Sequence, residues 1–563
     1  MRVMSLLISL SCSFLFFSCA ILQHESAPRR GKELYHLAQS REAVRLLGVG
    51  AAYLEGSEYL KGFEFYQKAL TIFRSLARRE LEGYTLAMLG FIAHRSGHSI
   101  QAKEFYEEAI KIANASSAPS KLWEVNLGMG KLEEEEGQLA EAITFYKAGV
   151  EIAETGGGWL TAEEGKGKFL KEKMAQELYE SFILLLLRQG KAEEAFTYLE
   201  RFKAMIFFSL LQPLAHLHLR VYFHSLSGVQ VLLDTGTTLL EYFPTANKTV
   251  IWIVNQSMVN VVEVPLSREA LEEKVRNFRK AVENPDGEYE ELAKELYTLL
   301  IWPLISQIQG ERLGIIPHGI LHYLPFQALF NGTTYLAEEY SIFYAPSASL
   351  FALAVQKRKE KGSYLLAFGN DESGEVTSPL LHAEEEVLTL ASLYSHSTVY
   401  IKGSARKGLV KTLSKDAHIL HLASYGQLLG ETPLSSHLRF ARDGQQDGKL
   451  EIGELFTLDL QQATLVVLSA SQTLVGPRAQ GDELTVLVAG FLYAGSPSVL
   501  LSFWNVNSGS NVLFMDRFHS HLKQKSKAEA LRFTQLEMLR GEMGNHRTHP
   551  FFWASFILMG DWE

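Results

Sequence analysis

Cysteine is almost absent: there are two in 563 residues, and both, Cys12 and Cys19, lie at the start of the chain. That excludes a disulfide-stapled scaffold and any Cys-rich zinc or iron–sulfur site. An excess of positive charge is also missing. Lys plus Arg number 54 against 64 Asp plus Glu, a net charge of −10, which argues against a general nucleic-acid binder. After the first twenty residues no stretch is apolar for long enough to cross a bilayer. There is no H-E-x-x-H, no convincing metal spacing, no Gly-rich phosphate loop after a predicted strand and no G-x-S-x-G elbow. No metal or cofactor is therefore expected. What is present is ample core material, 47% apolar and 11% aromatic residues, in a chain long enough for roughly three or four units at about 150 residues each.

The first residues read MRVMSLLISLSCSFLFFSCA. A basic Arg2, a short apolar run over Ser5 to Phe17 and small residues after it make a secretory signal. Phe16-Phe17-Ser18-Cys19 resembles a bacterial lipoprotein box, with the small Ser18 where the peptidase needs one and Phe16 in place of the usual Leu. The resemblance implies that Cys19 becomes the lipidated N-terminus of an exported, membrane-anchored lipoprotein. Ordinary cleavage after Ala20 is the alternative. Gln23 to Gly31 then form a polar tether.

A fixed period of 40 follows. It relates Gly50, Gly90 and Gly130; Gly62, Ala102 and Ala142; Tyr66, Tyr106 and Tyr146; and Ala69, Ala109 and Gly149. Steps of three and four put the last three columns on one helical face. This predicts helix pairs in which small residues allow close approach and the tyrosine plugs the space between neighbouring pairs. The pattern resembles the tetratricopeptide repeat. Ala195, Leu199 and Phe202 continue it after an insertion containing Gly156-Gly157-Gly158. Stacks of this kind present a surface for a peptide or protein partner. The Glu133 to Glu136 run reads as a solvated helix face.

Beyond about residue 225 short apolar runs alternate with helical stretches. Leu239 to Phe243 and Val250 to Val254 read as strands joined by a turn at Thr245 to Lys248, with a third at Val259 to Val264. A helix is expected from about Glu269 to Leu300. Further strands are expected at Leu313 to Ile316, Tyr364 to Phe368, Val399 to Ile401, Ile419 to Ala423, Thr464 to Leu468 and Ser498 to Phe503. Such alternation predicts an α/β domain with a largely parallel sheet covered on both faces.

Specific motifs sit among these elements: Ile316-Pro317-His318-Gly319, Leu324-Pro325-Phe326-Gln327, His421-Leu422-Ala423-Ser424-Tyr425-Gly426, Leu468-Ser469-Ala470-Ser471, Leu501-Ser502-Phe503-Trp504 and His549-Pro550-Phe551-Phe552-Trp553. In this order they closely resemble the CHAT domain, a caspase-like domain that commonly follows tetratricopeptide repeats. The resemblance implies a caspase–haemoglobinase type of fold. It also implies a cysteine endopeptidase dyad, with a histidine at the position of Tyr425 and a cysteine at the position of Ser471.

Both positions are substituted. A thiol ionises near neutral pH and an imidazole completes its activation. A serine depends more heavily on a base, and a tyrosine, with a pKa of about 10, is a poor proton acceptor. His421 lies four strand steps before Tyr425, roughly 13 Å away, and reads as a structural histidine. His318 and His322 belong to another loop. His519 and His521 read as packing or surface groups, and Trp504 and Trp553 as core.

These readings divide the chain into a signal peptide (1–18), a tether (19–31), tetratricopeptide-like repeats (32–225) and a CHAT domain (226–563). They point to a pseudoprotease that acts in protein interaction or scaffolding. An active endopeptidase using Ser471 is the alternative.

Overall fold

A computed structural model describes residues 27–115, 122–155, 168–217, 224–370, 382–429, 432–444, 447–469, 481–504, 506 and 508–563. The chain divides into two compact units, residues 1–185 and 186–563.

The first unit is helical: α1 (Ala27–Glu55), α2 (Tyr59–Ser75), α3 (Arg79–Arg95), α4 (Ser99–Ala115), α5 (Trp123–Glu135), α6 (Leu139–Thr155) and most of α7 (Lys168–Arg188). The 40-residue columns explain its packing. A Cβ on Gly50 would stand 2.7 Å from the Tyr66 ring, one on Gly90 2.5 Å from Tyr106, and one on Gly130 2.5 Å from Tyr146. Each glycine on the first helix of a pair thus makes the slot for the tyrosine on the second. Tyr106 also fills the place where a Cβ on Gly128 of α5 would go, so it plugs the space between successive pairs. Tyr66, Tyr106 and Tyr146 are fully buried.

The Glu133–Glu136 run has Glu135 and Glu136 exposed to solvent, as expected, and also makes contacts within this unit. Lys103 reaches Glu133 at 3.3 Å and Glu136 at 3.4 Å, Tyr146 donates to Glu134 at 2.7 Å, and His94 meets Glu135 at 3.0 Å. The Gly156-Gly157-Gly158 insertion lies outside the described residues.

In the second unit, eleven strands form one sheet among the described residues, in the order β3-β2-β1-β4-β5-β14-β13-β12-β8-β6-β7. They are β1 (Thr237–Pro244), β2 (Thr249–Val254), β3 (Val259–Val264), β4 (Arg312–Ile316), β5 (Ser341–Tyr344), β6 (Tyr364–Gly369), β7 (His396–Ile401), β8 (Ile419–Ala423), β12 (Leu465–Leu468), β13 (Ser498–Ser502) and β14 (Phe556–Gly560). The remaining three, β9 (Gly426–Gln427), β10 (His437–Arg439) and β11 (Lys449–Glu451), make a small antiparallel sheet.

The large sheet is parallel from β12 through β8 and β6 to β7. It is antiparallel at the β1–β2–β3 edge and where β14 meets β13. Every residue of β8, β12, β13 and β14 is buried. Because alternate strand residues point to opposite faces, both faces are covered.

Two expectations change. The single helix expected over 269–300 is two, Arg268–Val282 and Glu290–Leu300. The break holds Pro285, which has no amide hydrogen to donate, and Gly287. The helix carrying Ala195, Leu199 and Phe202, α8 (Ala192–Leu210), packs inside the α/β unit. Lys203 pairs with Glu241 of β1 at 2.7 Å, both buried. Glu200 accepts hydrogen bonds from the Ala348 amide (3.2 Å) and from the Ser349 amide and hydroxyl (2.6 Å each), capping the Ala348–Gln356 helix. Phe196 meets Trp252 edge-on, and Phe202 meets Phe243.

Candidate functional site at the strand ends

Strands β6, β8 and β12 end side by side. Leu422 of β8 is paired with Leu468 of β12, and Ala423 with Gly369 of β6. Just beyond, the Ser469 amide donates to the Leu422 carbonyl at 3.1 Å and the Asn370 amide to the Ala423 carbonyl at 3.0 Å. Carboxyl ends of parallel strands are where α/β folds place their chemistry, because the loops leaving them converge.

Tyr425 and Ser471 each stand three positions past the matched pair Leu422 and Leu468. The register therefore brings their two loops out of neighbouring strands. Ser471 itself lies outside the described residues, as do Cys19 and the rest of the signal segment.

Tyr425 is buried. Its carbonyl accepts from the Arg439 amide at 2.8 Å. The preceding Ser424 donates to the Arg439 carbonyl at 2.5 Å, and Asn370 donates to the same carbonyl at 3.2 Å. These bonds fold the small sheet over the ends of β6 and β8. Directly opposed residues of an antiparallel pair share a face. With Leu438 opposite Gly426 and His437 opposite Gln427, Tyr425 and Arg439 fall on the same face as His437.

His437 escaped the sequence reading, since no motif marks it. It is buried, its Nε2 has no hydrogen-bond partner among the described residues, and its Nδ1 lies 3.3 Å from the Ser435 carbonyl. Burial first, then the Lys449 and Arg439 cations, hold its pKa below the usual histidine value.

The other histidines go elsewhere. His421 points away from the strand end, with Nε2 2.7 Å from Glu386 and Nδ1 3.3 Å from His519 Nε2. His519 Nδ1 lies 2.8 Å from the Tyr394 hydroxyl. His318 sits between the rings of Phe202 and Phe243. Burial and then the Lys203 ammonium push its pKa well down. His322 is buried with Nδ1 unpartnered among the described residues, and burial holds its pKa down at about 3. Its ring fills the space a Cβ on Gly481 would take. Gly481, with φ of +90°, opens the Asp482–Ala494 helix, so His322 packs at the far end of the segment that holds Ser471. A neutral imidazole there can accept a proton only at strongly acidic pH.

Trp504 and Trp553 are core. Their indole N–H groups donate to the carbonyls of Phe551 (2.9 Å) and Thr548 (3.0 Å). Among the described residues no three His, Cys, Asp or Glu side chains group as a metal site.

Comparison with known proteins agrees with this architecture. Residues 290–561 match the CHAT domain model, and residues 42–115 match a tetratricopeptide repeat model. Tetratricopeptide repeat protein 28 of Homo sapiens is 25% identical over 326 residues, 47% of this chain, and its Mus musculus counterpart is 25% identical over 324 residues. The chain spans only 13% of the length of each. Among solved structures, the Saccharomyces cerevisiae separase–securin complex aligns over 94% of this chain and 48% of its own, with a TM-score of 0.48 at 10% identity. A structure described as a protease aligns over 48% of this chain and 67% of its own, with a TM-score of 0.32 at 11% identity. The chain thus carries tetratricopeptide repeats followed by a C-terminal CHAT domain, a helical repeat unit and then an α/β domain with a largely parallel sheet.

Proposed function

We propose that this chain is an exported, lipid-anchored CHAT–tetratricopeptide protein whose protease-like domain has lost its dyad. It works by binding other proteins. The observation that carries this reading is Tyr425 at the end of β8. Where an active relative holds an imidazole, this chain has a buried phenol, a side chain that is a poor proton acceptor at neutral pH. The cysteine count supports the same reading, because both cysteines precede residue 20 and neither belongs to the caspase-like domain.

The repeat stack supplies the binding surface for a peptide or protein partner. Cys19 supplies the membrane anchor. A serine-reactive fluorophosphonate tests the loss of activity. No labelling of the wild type is expected, and labelling that disappears in Ser471→Ala would overturn the reading. Globomycin sensitivity and palmitate incorporation, both lost in Cys19→Ala, test the anchor.

A second reading, an endopeptidase using Ser471, draws support from His437, which shares a face with Tyr425 and keeps Nε2 unpartnered among the described residues. Peptidase activity abolished by both Ser471→Ala and His437→Ala would establish it.

A further inference from the structure

Helix α1 has two apolar faces, and only one is packed. Ala43, Leu46 and Leu54 are buried, with Ala43 and Leu46 set against Ala69 and Phe73 of α2; Ala51, seven residues past Val44, is also buried and ends the exposed side. On the opposite side Leu34, Leu37 and Val44 are 66%, 46% and 48% exposed. Positions 34, 37, 41, 44 and 45 are separated by steps of three, four, three and one, so they form one stripe along the helix. Arg41 and Arg45 complete it, both exposed. Arg45 is bonded to Glu42 at 2.6 Å, which leaves Arg41 as a cation without an ion pair among the described residues. An amphipathic helix with one packed face should be polar on the other. Apolar groups interleaved with arginine instead suit an interface between oil and anionic headgroups, where arginine lays its stem along the apolar side.

The position of the stripe supports a lipid occupant. Helix α1 starts at Ala27, eight residue steps after Cys19, a reach of at most about 29 Å. The stripe from Leu34 to Val44 runs about 15 Å along the helix. A chain anchored at Cys19 therefore holds this face within a tether length of the bilayer.

Resting on the lipoprotein reading, we infer that the Leu34–Leu37–Val44 stripe of α1, with Arg41, lies on an anionic lipid surface and acts as a second membrane contact beside the acyl anchor.

The scarcity of cysteine makes the test direct. Full-length Leu37→Cys is labelled with bimane, with the unsubstituted protein as blank, and reconstituted into vesicles of phosphatidylethanolamine and phosphatidylglycerol. The label is expected to shift to the blue and to be quenched by nitroxide lipids. A label at Leu60→Cys, on an exposed site of α2, is expected to stay in water. A water-exposed label at residue 37 on anchored protein overturns the inference. So does burial that appears without vesicles and grows with protein concentration, which would assign the face to a second copy of the chain.

Palmitate incorporation, scored separately, keeps the two readings apart. No palmitate with residue 37 quenched by lipid defeats the anchor and leaves the stripe; palmitate with residue 37 unquenched does the reverse. In Cys19→Ala protein, adding Leu34→Glu, Leu37→Glu and Val44→Glu is expected to lower vesicle-bound protein about tenfold or more. These side chains are exposed, so the fold should survive, and an unchanged far-ultraviolet circular dichroism spectrum checks that it does.

Discussion

His421 and His519, 98 positions apart, meet through a 3.3 Å contact between Nδ1 of the first and Nε2 of the second. The contact lies in a chain of polar groups that runs from Tyr394 through His519 and His421 to Glu386. The Tyr394 hydroxyl lies 2.8 Å from His519 Nδ1, and His421 Nε2 lies 2.7 Å from Glu386. Each ring nitrogen of the two histidines has a partner within hydrogen-bond reach. These contacts join β8 to the Ala383–Leu393 and Ser508–Leu522 helices and so fix the strand that leads to Tyr425.

An acid-sensitive stability follows. Burial first, then His421 and Lys523, hold the His519 pKa well below the usual histidine value. The unfolded chain therefore binds a proton below about pH 6.5 that the folded chain refuses. This contribution is fully present above about pH 6.5 and declines as pH falls toward the folded pKa. Urea unfolding between pH 8 and pH 5 should show the decline. His519→Gln keeps the donor toward His421 but cannot titrate, so it should be less stable at pH 8, by about 1–3 kcal/mol, and show a shallower pH slope.

Glu241 has the opposite sign. Burial first raises its pKa to about 8, Lys203 opposes that, and Glu200 adds to it. The folded state then holds a proton that the unfolded chain loses above about pH 4.5. Its contribution is complete below that value and fades as pH rises toward 8. Glu241→Gln should flatten stability between pH 6 and pH 9 in the same urea titration.

Removing only one member of the buried Lys203–Glu241 pair should be costly. Lys203→Met leaves the buried Glu241 carboxyl without its partner and is expected to destabilise the α/β unit by about 3 kcal/mol, while Lys203→Met with Glu241→Leu should recover most of the loss. Unfolding of both variants, followed by tryptophan fluorescence, gives the coupling. Equal stability of the single and double variants would count against the pair.

The repeat slots make a sharper steric prediction. Gly90→Ala places a Cβ 2.5 Å from Tyr106 and should cost about 1–3 kcal/mol. The same change with Tyr106→Leu should cost less than the sum of the two alone. Tyr106→Phe should be nearly neutral, because its buried hydroxyl has no hydrogen-bond partner among the described residues. Tyr146→Phe loses the 2.7 Å bond to Glu134 and should cost about 1 kcal/mol. Thermal melts rank all four.

The dyad can be rebuilt if the scaffold is otherwise intact. Tyr425→His with Ser471→Cys should make the new cysteine react with iodoacetamide faster than Ser471→Cys alone, with the gain greatest near neutral pH, where an imidazole is neutral and able to accept a proton. Equal alkylation rates in the two variants would mean that their loops do not meet.

Much of this protein was legible along the chain. The period of 40 marked the glycine slots and their tyrosines because each slot is local, a small residue and a ring a fixed number of turns apart. The strands of the parallel sheet were legible as apolar runs because they are buried on both faces. Tyr425 and Ser471 were found only by motif resemblance, since neither residue type advertises a lost activity.

Tertiary structure decided the rest. It seated α8 in the α/β unit, although its spacing matches the repeats, because Lys203 and Glu200 find partners there that lie far off in sequence. It revealed β5 and β14, whose few residues carry no turn signals of their own. It brought His437 to the face of Tyr425 and joined His421 to His519. Local spacing determines which residues share a face of one helix or strand, whereas the partner that satisfies a buried charge or ring nitrogen is set by which distant elements pack together.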